Sequence, residues 1–411
     1  MSWSPIQKLI FRFGSTYLLL FCLSNQFLTS ELLALLWRRI IPWLGVQFLG
    51  HQTPIEIIPS GSGDTTYNYT LMLFFVVLSI LVALAWSILD RHRPHYQKAL
   101  AWLVVLVRYY IAYQMVLYGL AKIFYLQFPT PHFVSLLKPL GELTPMALLW
   151  GFMGYSKAYT MFTGWGELIG GIFLLFGRTT TLGALIVFGV MTNVLMLNFS
   201  YDVPVKILSS HLVLMALILI LLDREPLWAL FFAGEAVPTW KAVPLFKNPK
   251  WLNAKNTAKW LVISGLFFTM IVVRMGRMQR YGLLAEQPPL YGLYEVSQYT
   301  QNDTLLPPIH TSDMRWQYLA IDSKERATLY LMSGKRRDTE FIVDTTTQQI
   351  ITNSTADTLS YLMKDTQLYL HGIFEGNKIA IELKRRDMTD FALTKRKFRW
   401  VQEHPDNNLF Y

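Results

Sequence analysis

Four polar side chains that can donate, accept or carry a proton stand inside long apolar runs. Arg108 lies in "LVVLVRYYIAYQMVLYGLAKIF", Glu167 in "TGWGELIGGIFLL", Asn193 in "VFGVMTNVLMLNF" and His211 in "VKILSSHLVLMALI". An ionisable group within a membrane span costs several kcal/mol unless it faces a bundle interior, so each is a candidate functional residue. At a rise of about 1.5 Å per helical residue, Arg108 and Glu167 fall roughly 15 Å deep, and Asn193 and His211 roughly 18 to 21 Å. Four polar groups from four helices are therefore expected at one level. Arg108 and Asn193 would bind a carbonyl headgroup there, and Glu167 and His211 would move its proton. A second, outer layer of Lys122, Gln127, Tyr201, Asp202 and Lys206 is expected at the rim, around the turn "NFSYDVPVK". Structural roles compete with each assignment. A Glu and an Arg at one depth can be an ion pair that fixes helix register. Rim Lys and Asp can be interface anchors, and His211 can simply bond a neighbouring helix.

The elements that must position these residues are spans. The chain has 411 residues, 53% of them hydrophobic and 16% charged, with 13 Trp and 26 Phe, which is too apolar for an ordinary soluble enzyme. Seven stretches have the length and apolarity of a transmembrane helix, near 9–29, 70–89, 99–125, 158–177, 179–199, 204–222 and 257–274. Lys8 and Arg12 before "STYLLLFCL" resemble a signal peptide, yet no small-residue cleavage site follows, so the first stretch is read as a span. "ELLALLWRRIIPWLGVQFLG" and "HFVSLLKPLGELTPMALLWGFMGYSKAY" read as interfacial or re-entrant pieces, because their Trp, Pro and Lys suit the headgroup region. Lys and Arg in "DRHRPHYQK", at Arg178 and in "KAVPLFKNPKWLNAKNTAK" put those loops and the N-terminus in the cytoplasm. Arg38, Arg39, Arg274, Arg277 and Arg280 argue for the opposite orientation.

From about 285 the pattern changes to short alternating runs: "RWQYLAI", "ATLYLM", "EFIVDTTTQQIIT", "QLYLHGIFEGNKIAIEL" and "FRWVQEH", with "GN" as a hairpin turn. A small antiparallel sandwich or barrel on the outer side is expected. The net charge of +10 falls entirely before residue 275, because the remaining segment holds 17 Lys and Arg against 17 Asp and Glu. No basic soluble face is left for nucleic acid. One cysteine, Cys22, excludes an intramolecular disulfide or a CxxC pair. "HRPH" lacks further metal ligands, "GSGD" at 61–64 is an outer turn without a phosphate-loop context, and "KRRD" at 335 and 384 reads as solvated strand edge.

"YGLAKIF" at 118–124 and "GELIGGIFLLFGRTTTLGAL" at 166–185 resemble the signature of DoxX-like membrane proteins: Gly-x-x-Lys ending one helix, a Glu before a Gly pair, then Gly-Arg and another helix. The matched polar positions are Lys122, Glu167 and Arg178, and the resemblance covers about 99–223 as a four-helix core. It implies a bacterial inner-membrane protein, with some relatives similar to a subunit of a thiosulfate:quinone oxidoreductase. A weaker resemblance, to the helical domain of vitamin K-dependent carboxylase-like proteins, implies Lys122 as a candidate base. The expected organisation is an N-terminal transmembrane region with an interfacial helix (1–98), the DoxX-like core (99–223), a basic cytoplasmic linker (224–256), a last helix (257–274) and an extracytoplasmic β-rich domain (275–411). The expected function is a quinone- or lipid-binding membrane subunit associated with redox or stress-response chemistry. A scaffold that binds a protein partner through the outer domain, a carboxylase-type enzyme and a small transporter are the alternatives.

Overall fold

The computed structural model describes residues 2–24, 30–57, 59, 61–235, 249–352, 354–396 and 398–404, and it divides the chain into two units, 1–129 with 144–283 and 130–143 with 284–411. Residues 25–29 of the first expected span and 236–248 of the expected basic linker lie outside the described residues. The helices are α1 (Pro5–Ser24), α2 (Ser30–Leu49), α3 (Thr66–Leu89), α4 (Gln97–Ile123), α5 (Phe133–Leu136), α6 (Pro145–Tyr155), α7 (Lys157–Leu175), α8 (Thr180–Ser200), α9 (Lys206–Leu222), α10 (Arg224–Trp228) and α11 (Pro249–Tyr281).

Local chemistry sets where these helices begin. The Thr65 hydroxyl accepts the Asn68 N–H to start α3, and the Ser156 hydroxyl accepts the Tyr159 N–H to start α7. Thr144 caps α6, with Pro145 in the first turn where its missing N–H costs nothing. The "GSGD" loop has a structural task of this kind. The Asp64 carboxylate accepts the Lys206 N–H at 2.7 Å and the Ile207 N–H at 3.0 Å, so it caps α9 from another part of the chain.

In the first unit α4 is central. Its buried Val107, Tyr110, Ile111, Ala112 and Met115 share one core with Phe21 of α1, Phe75 of α3, Leu174 of α7, Val187 of α8 and Leu212 and Met215 of α9. Among the described residues five helical stretches are long and apolar enough to cross a membrane: α1, α3, α4, Gly177–Ser200 and Asn256–Tyr281. A sixth arises if α9 and the following helix, bent by 75°, count as one. The expectation of seven therefore differs at α7, whose Lys157, Glu167 and four glycines lower its mean hydropathy. Glu167 and the glycines serve helix contact rather than lipid contact, while Lys157 is exposed. The last helix also runs to Tyr281 rather than 274. The arginines that end its apolar stretch are good helix formers, so they mark a change of polarity and not of structure.

The second unit holds β1 (Gly292–Gln301), β2 (Thr304–Leu305), β3 (Trp316–Ile321), β4 (Arg326–Leu331), β5 (Arg336–Asp344), β6 (Gln349–Thr352), β7 (Ser354–Lys364), β8 (Gln367–Phe374), β9 (Asn377–Arg386) and the short helix α12 (Ala392–Lys395). Successive pairs are antiparallel, and β1 pairs with β9 from Leu293↔Arg386 to Gln301↔Ile379. Pairing of the first strand with the last closes an eight-stranded barrel and leaves β2 as a short addition to β1. Closure removes the open edges of a sheet, and the interior is filled by Trp316, Leu319, Leu329, Phe341, Ile350, Leu359, Leu368 and Leu383. The β8–β9 turn is Glu375-Gly376, with φ of 50° and 75°, one residue earlier than the expected "GN". Phe374↔Asn377 is the last pair, so the two-residue turn needs positive φ at both centres. "FRWVQEH" holds no strand in its described residues, 398–404. The pairing of β1 with β9 is already complete without it.

The stretch expected to be one interfacial piece is divided between the units. Residues 130–143 belong to the barrel unit, where Phe133 packs on Leu293 and Ala320, while α6 belongs to the helical unit. Unit two also starts at 284 rather than at the expected 275.

Candidate functional site

The polar residues of the helical unit do not form one cluster. Depth along a helix follows from residue count, but the face a residue occupies follows from rotation about the axis, and the two are independent. The expected group of Arg108, Glu167, Asn193 and His211 separates into three buried arrangements and one exposed side chain.

The first arrangement joins the two expected layers. Lys122 Nζ donates to both Oε1 and Oε2 of Glu167, each at 2.8 Å, and the two residues are only 5% and 2% exposed. Glycines let α4 and α7 come this close. A Cβ on Gly119 would stand 2.8 Å from the Gly164 carbonyl, and one on Gly164 would stand 2.8 Å from both the Gly119 carbonyl and Lys122 Cβ. Two turns further along α7, Gly171 meets Met115 in the same way. The pair is fully internal, with both carboxylate oxygens engaged. Its geometry is that of a register-fixing bridge.

His211 forms the second arrangement. Its Nδ1 lies 2.7 Å from the Ile207 carbonyl and its Nε2 2.7 Å from the Tyr17 hydroxyl. A carbonyl can only accept, so Nδ1 carries a proton, and Nε2 shares the second hydrogen bond with the Tyr17 hydroxyl. The ring stacks on Phe21 at 3.8 Å between centroids.

Arg108 belongs to the third arrangement. Its Nε and Nη2 donate to the Leu174 carbonyl at 3.1 and 2.9 Å, and Lys259 Nζ of α11 donates to the adjacent Leu175 carbonyl at 2.7 Å. Two cations thus cap the C-terminal end of α7, where orphan carbonyls and the helix dipole favour positive charge. Both also flank the ring of Tyr109, with Arg108 Cζ 5.9 Å and Lys259 Nζ 5.8 Å from its centroid. Here α4, the end of α7 and α11 line a cavity of about 810 Å³ that is open on one side. Its walls are apolar, among them Val105, Ala112, Val116, Ile263, Leu266 and Phe267, and Arg108, Lys259 and Asn256 are its polar side chains together with Trp102, Tyr109 and Tyr113. Such a shape takes a molecule with an apolar body and a small polar head.

Asn193 is exposed on α8 and faces none of these groups. Of the rim residues, Lys206 pairs with Asp202 at 2.8 Å, and Asp202, with φ of 51°, is the left-handed residue that ends α8. Val203 N–H then closes back on the Asn198 carbonyl at 2.9 Å. The Asp and Lys of "NFSYDVPVK" therefore stop one helix and start the next. Tyr201 packs beside Phe128, Leu149, Met153 and Val203, and Gln127 Oε1 is buried without a hydrogen bond among the described residues. Lys259 was missed as a site residue because it ends a basic run and reads as a flank. The signal that could have found it is the uninterrupted helical pattern "AKWLVISGLFF", which continues that flank into the span. In the sequence Arg12 reads as another flanking charge. It is buried, and it donates to Tyr96 Oη, Ser87 Oγ and the Asp90 carbonyl at the end of α3. Among the described residues no group of three or more His, Cys, Asp or Glu could hold a metal ion.

Fold and site define a two-unit protein in which several helices long and apolar enough to cross a membrane precede an antiparallel β-barrel. The chain belongs to the family of an uncharacterized protein of Bacillus subtilis (strain 168), YwoB, with which it is 34% identical over 133 residues, 30% of this chain and 79% of that protein. No protein-family model matches the chain. No solved structure matches it either.

Proposed function

We propose that this protein is a multi-pass membrane protein that binds a membrane-soluble ligand with a polar head, a quinone or a lipid, in the cavity between α4, α7 and α11. The carrying observation is that cavity: about 810 Å³, walled by apolar side chains, with Arg108, Lys259 and Asn256 as donors. A quinone carbonyl or a lipid head would accept from those donors while its tail lies along Val262, Leu266 and Met270. None of the residues of α11 from 256 to 281 is buried, so the cavity borders the face that would meet lipid. The DoxX-like reading is supported by the meeting of its motif residues, since Gly119, Lys122, Glu167 and Gly171 all lie at one helix contact. In this reading α7 is a seventh span, the bacterial inner membrane is the location, and the N-terminus is cytoplasmic. Redox or stress-response partners would act on the ligand.

The test is mass spectrometry of apolar compounds retained after purification in mild detergent, comparing wild type with Ile263→Trp, which fills the cavity, and Glu167→Gln, which leaves it open. A defined quinone or lipid present in wild type and Glu167→Gln but lost from Ile263→Trp is the expected result. Equal retention in all three by a folded Ile263→Trp protein would sink the proposal. A second reading, a scaffold that binds a protein partner, is favoured by the exposed Phe398, Trp400 and Val401, 78, 91 and 74% exposed. Loss of a co-purifying protein from the Phe398→Ala, Trp400→Ala double variant, with ligand content unchanged, would select it.

A further inference from the structure

We infer that the ligand of the α4–α7–α11 cavity is an anionic phospholipid, its phosphodiester held between Arg108 and Lys259 and an acyl chain lying in the apolar part. This inference rests on the proposed cavity ligand and specifies its head. The charge balance of the site carries it. Arg108 is 8% exposed and Lys259 half-buried, they flank one tyrosine ring, and neither pairs with a carboxylate among the described residues. The end of α7 offsets them by roughly half a negative charge, so more than one positive charge is left facing the cavity. Arg108 Nη1 makes no hydrogen bond among the described residues, and Lys259 keeps donors beyond the one given to Leu175. A neutral quinone carbonyl would use a donor without balancing the charge. A phosphodiester does both, and a guanidinium matches two of its oxygens at once.

Position agrees with charge. Lys259 stands three residues inside the apolar stretch that begins at Asn256, and Leu175 ends α7, so the ammonium sits where spans meet the headgroup layer, and Arg108, rooted deeper in α4, reaches that end of α7 with its guanidinium. Trp260 and Phe176 lie there as well, with ring centroids 5.3 Å apart, and the Lys259 ammonium is 4.9 Å from the Trp260 ring. Tryptophan at that level is characteristic of the membrane interface. Basic pockets between spans at this depth suit anionic heads. The cavity volume, within the range of about 300 to 1,000 Å³ typical of ligand sites, accommodates a chain and excludes a bulky folded partner.

The experiment is native mass spectrometry of the full-length protein in detergent, titrated separately with phosphatidylglycerol, phosphatidylcholine, a long-chain quinone and inorganic phosphate. Wild type is expected to retain phosphatidylglycerol at least tenfold more tightly than phosphatidylcholine, and Lys259→Gln to lose that preference while still eluting as a folded species. Ile263→Trp is expected to lose phosphatidylglycerol altogether. Equal affinity for the two lipids, or an unchanged preference in Lys259→Gln, overturns the inference. Quinone held by wild type and by Lys259→Gln but not by Ile263→Trp also overturns it, yet leaves the cavity reading standing. Inorganic phosphate bound as tightly as the lipid overturns the lipid assignment. If a folded Ile263→Trp binds every probe as wild type does, the cavity reading fails with it.

Discussion

Two buried charges that satisfy each other differ from two cations that have no carboxylate partner among the described residues, and both occur in the helical unit. Lys122 and Glu167 belong to the first kind, with the carboxylate bound through both oxygens. Breaking such a pair leaves one uncompensated charge, which costs about 3 to 5 kcal/mol, whereas replacing both partners by apolar residues is often neutral. Lys122→Met and Glu167→Leu should each lower unfolding stability in detergent by about that amount, and the double variant should recover most of it. Single losses that simply add would show that each residue acts alone. In the barrel unit Asp322 presents the opposite case. Its Oδ2 accepts the Val134 N–H at 3.3 Å, its Oδ1 is buried without a partner among the described residues, and burial raises its pKa, partly opposed by the charge of His132. The folded state then holds a proton that the unfolded state has already lost, so this group's stabilising contribution falls as pH rises from about 4 through the raised value. Asp322→Asn should remove that dependence, with melting temperatures that match wild type at low pH and exceed it near neutrality. A gap that is the same at every pH would exclude titration of Asp322 as the cause.

At the scale of elements, neighbouring basic side chains repeatedly finish a helix that its own sequence leaves open. Arg12 of α1 reaches the Asp90 carbonyl after α3, while Arg108 of α4 and Lys259 of α11 reach the last carbonyls of α7. None of the capped ends offers basic residues in its own last turn. Away from water these carbonyls need an internal donor, which a long cation on an adjacent helix supplies. Close approach is set by glycine. Gly164→Ala would put a Cβ 2.8 Å from the Gly119 carbonyl and from Lys122 Cβ, so α4 and α7 must separate and stability should fall by about 1 to 3 kcal/mol. Gly189 of α8 has nothing within 4 Å of its added Cβ, and Gly189→Ala should stabilise the helix by about 0.5 to 1 kcal/mol. Thermal unfolding of the two variants tests both signs at once. A loss at both positions would mean that helix contact is not what distinguishes them.

For the molecule as a whole, the proposed membrane topology has a covalent check. The barrel unit receives chain both after α4, as residues 130–143, and after α11, from 284 onward. In that proposed topology four crossings, by α7, α8, α9 and α11, return the chain to the side on which α4 ends, which is why the proposal counts α7 as a span although its hydropathy is modest. Cys22 is the only cysteine and is buried, so its replacement by Ala gives a background for single-cysteine labelling. In sealed inside-out and right-side-out vesicles, Ser135→Cys and Asp365→Cys should react with an impermeant maleimide from one side, and His92→Cys from the other. Reaction of His92→Cys from the same side as Ser135→Cys would remove α4 as a span.

Amino-acid order alone determined the features that depend on local length and period. Runs of about 20 apolar residues marked the helices, and alternation marked β3, β4, β8 and β9, because these patterns arise from the repeat of a single element. The Gly-x-x-Lys motif and the Glu before a Gly pair also pointed to residues that meet. Pattern could not assign α7 or the end of α11, where helix contact and helix propensity override hydropathy. The tertiary structure decided which polar residues share a site. Equal depth did not bring His211 to Arg108, since rotation about each helix axis and the packing of its neighbours set direction. It likewise decided that β1 closes on β9 across about 80 residues of chain, and that Phe133, from between two helices, belongs to the barrel core. The cavity exists only because α11, distant in sequence, lies against α4 and the end of α7.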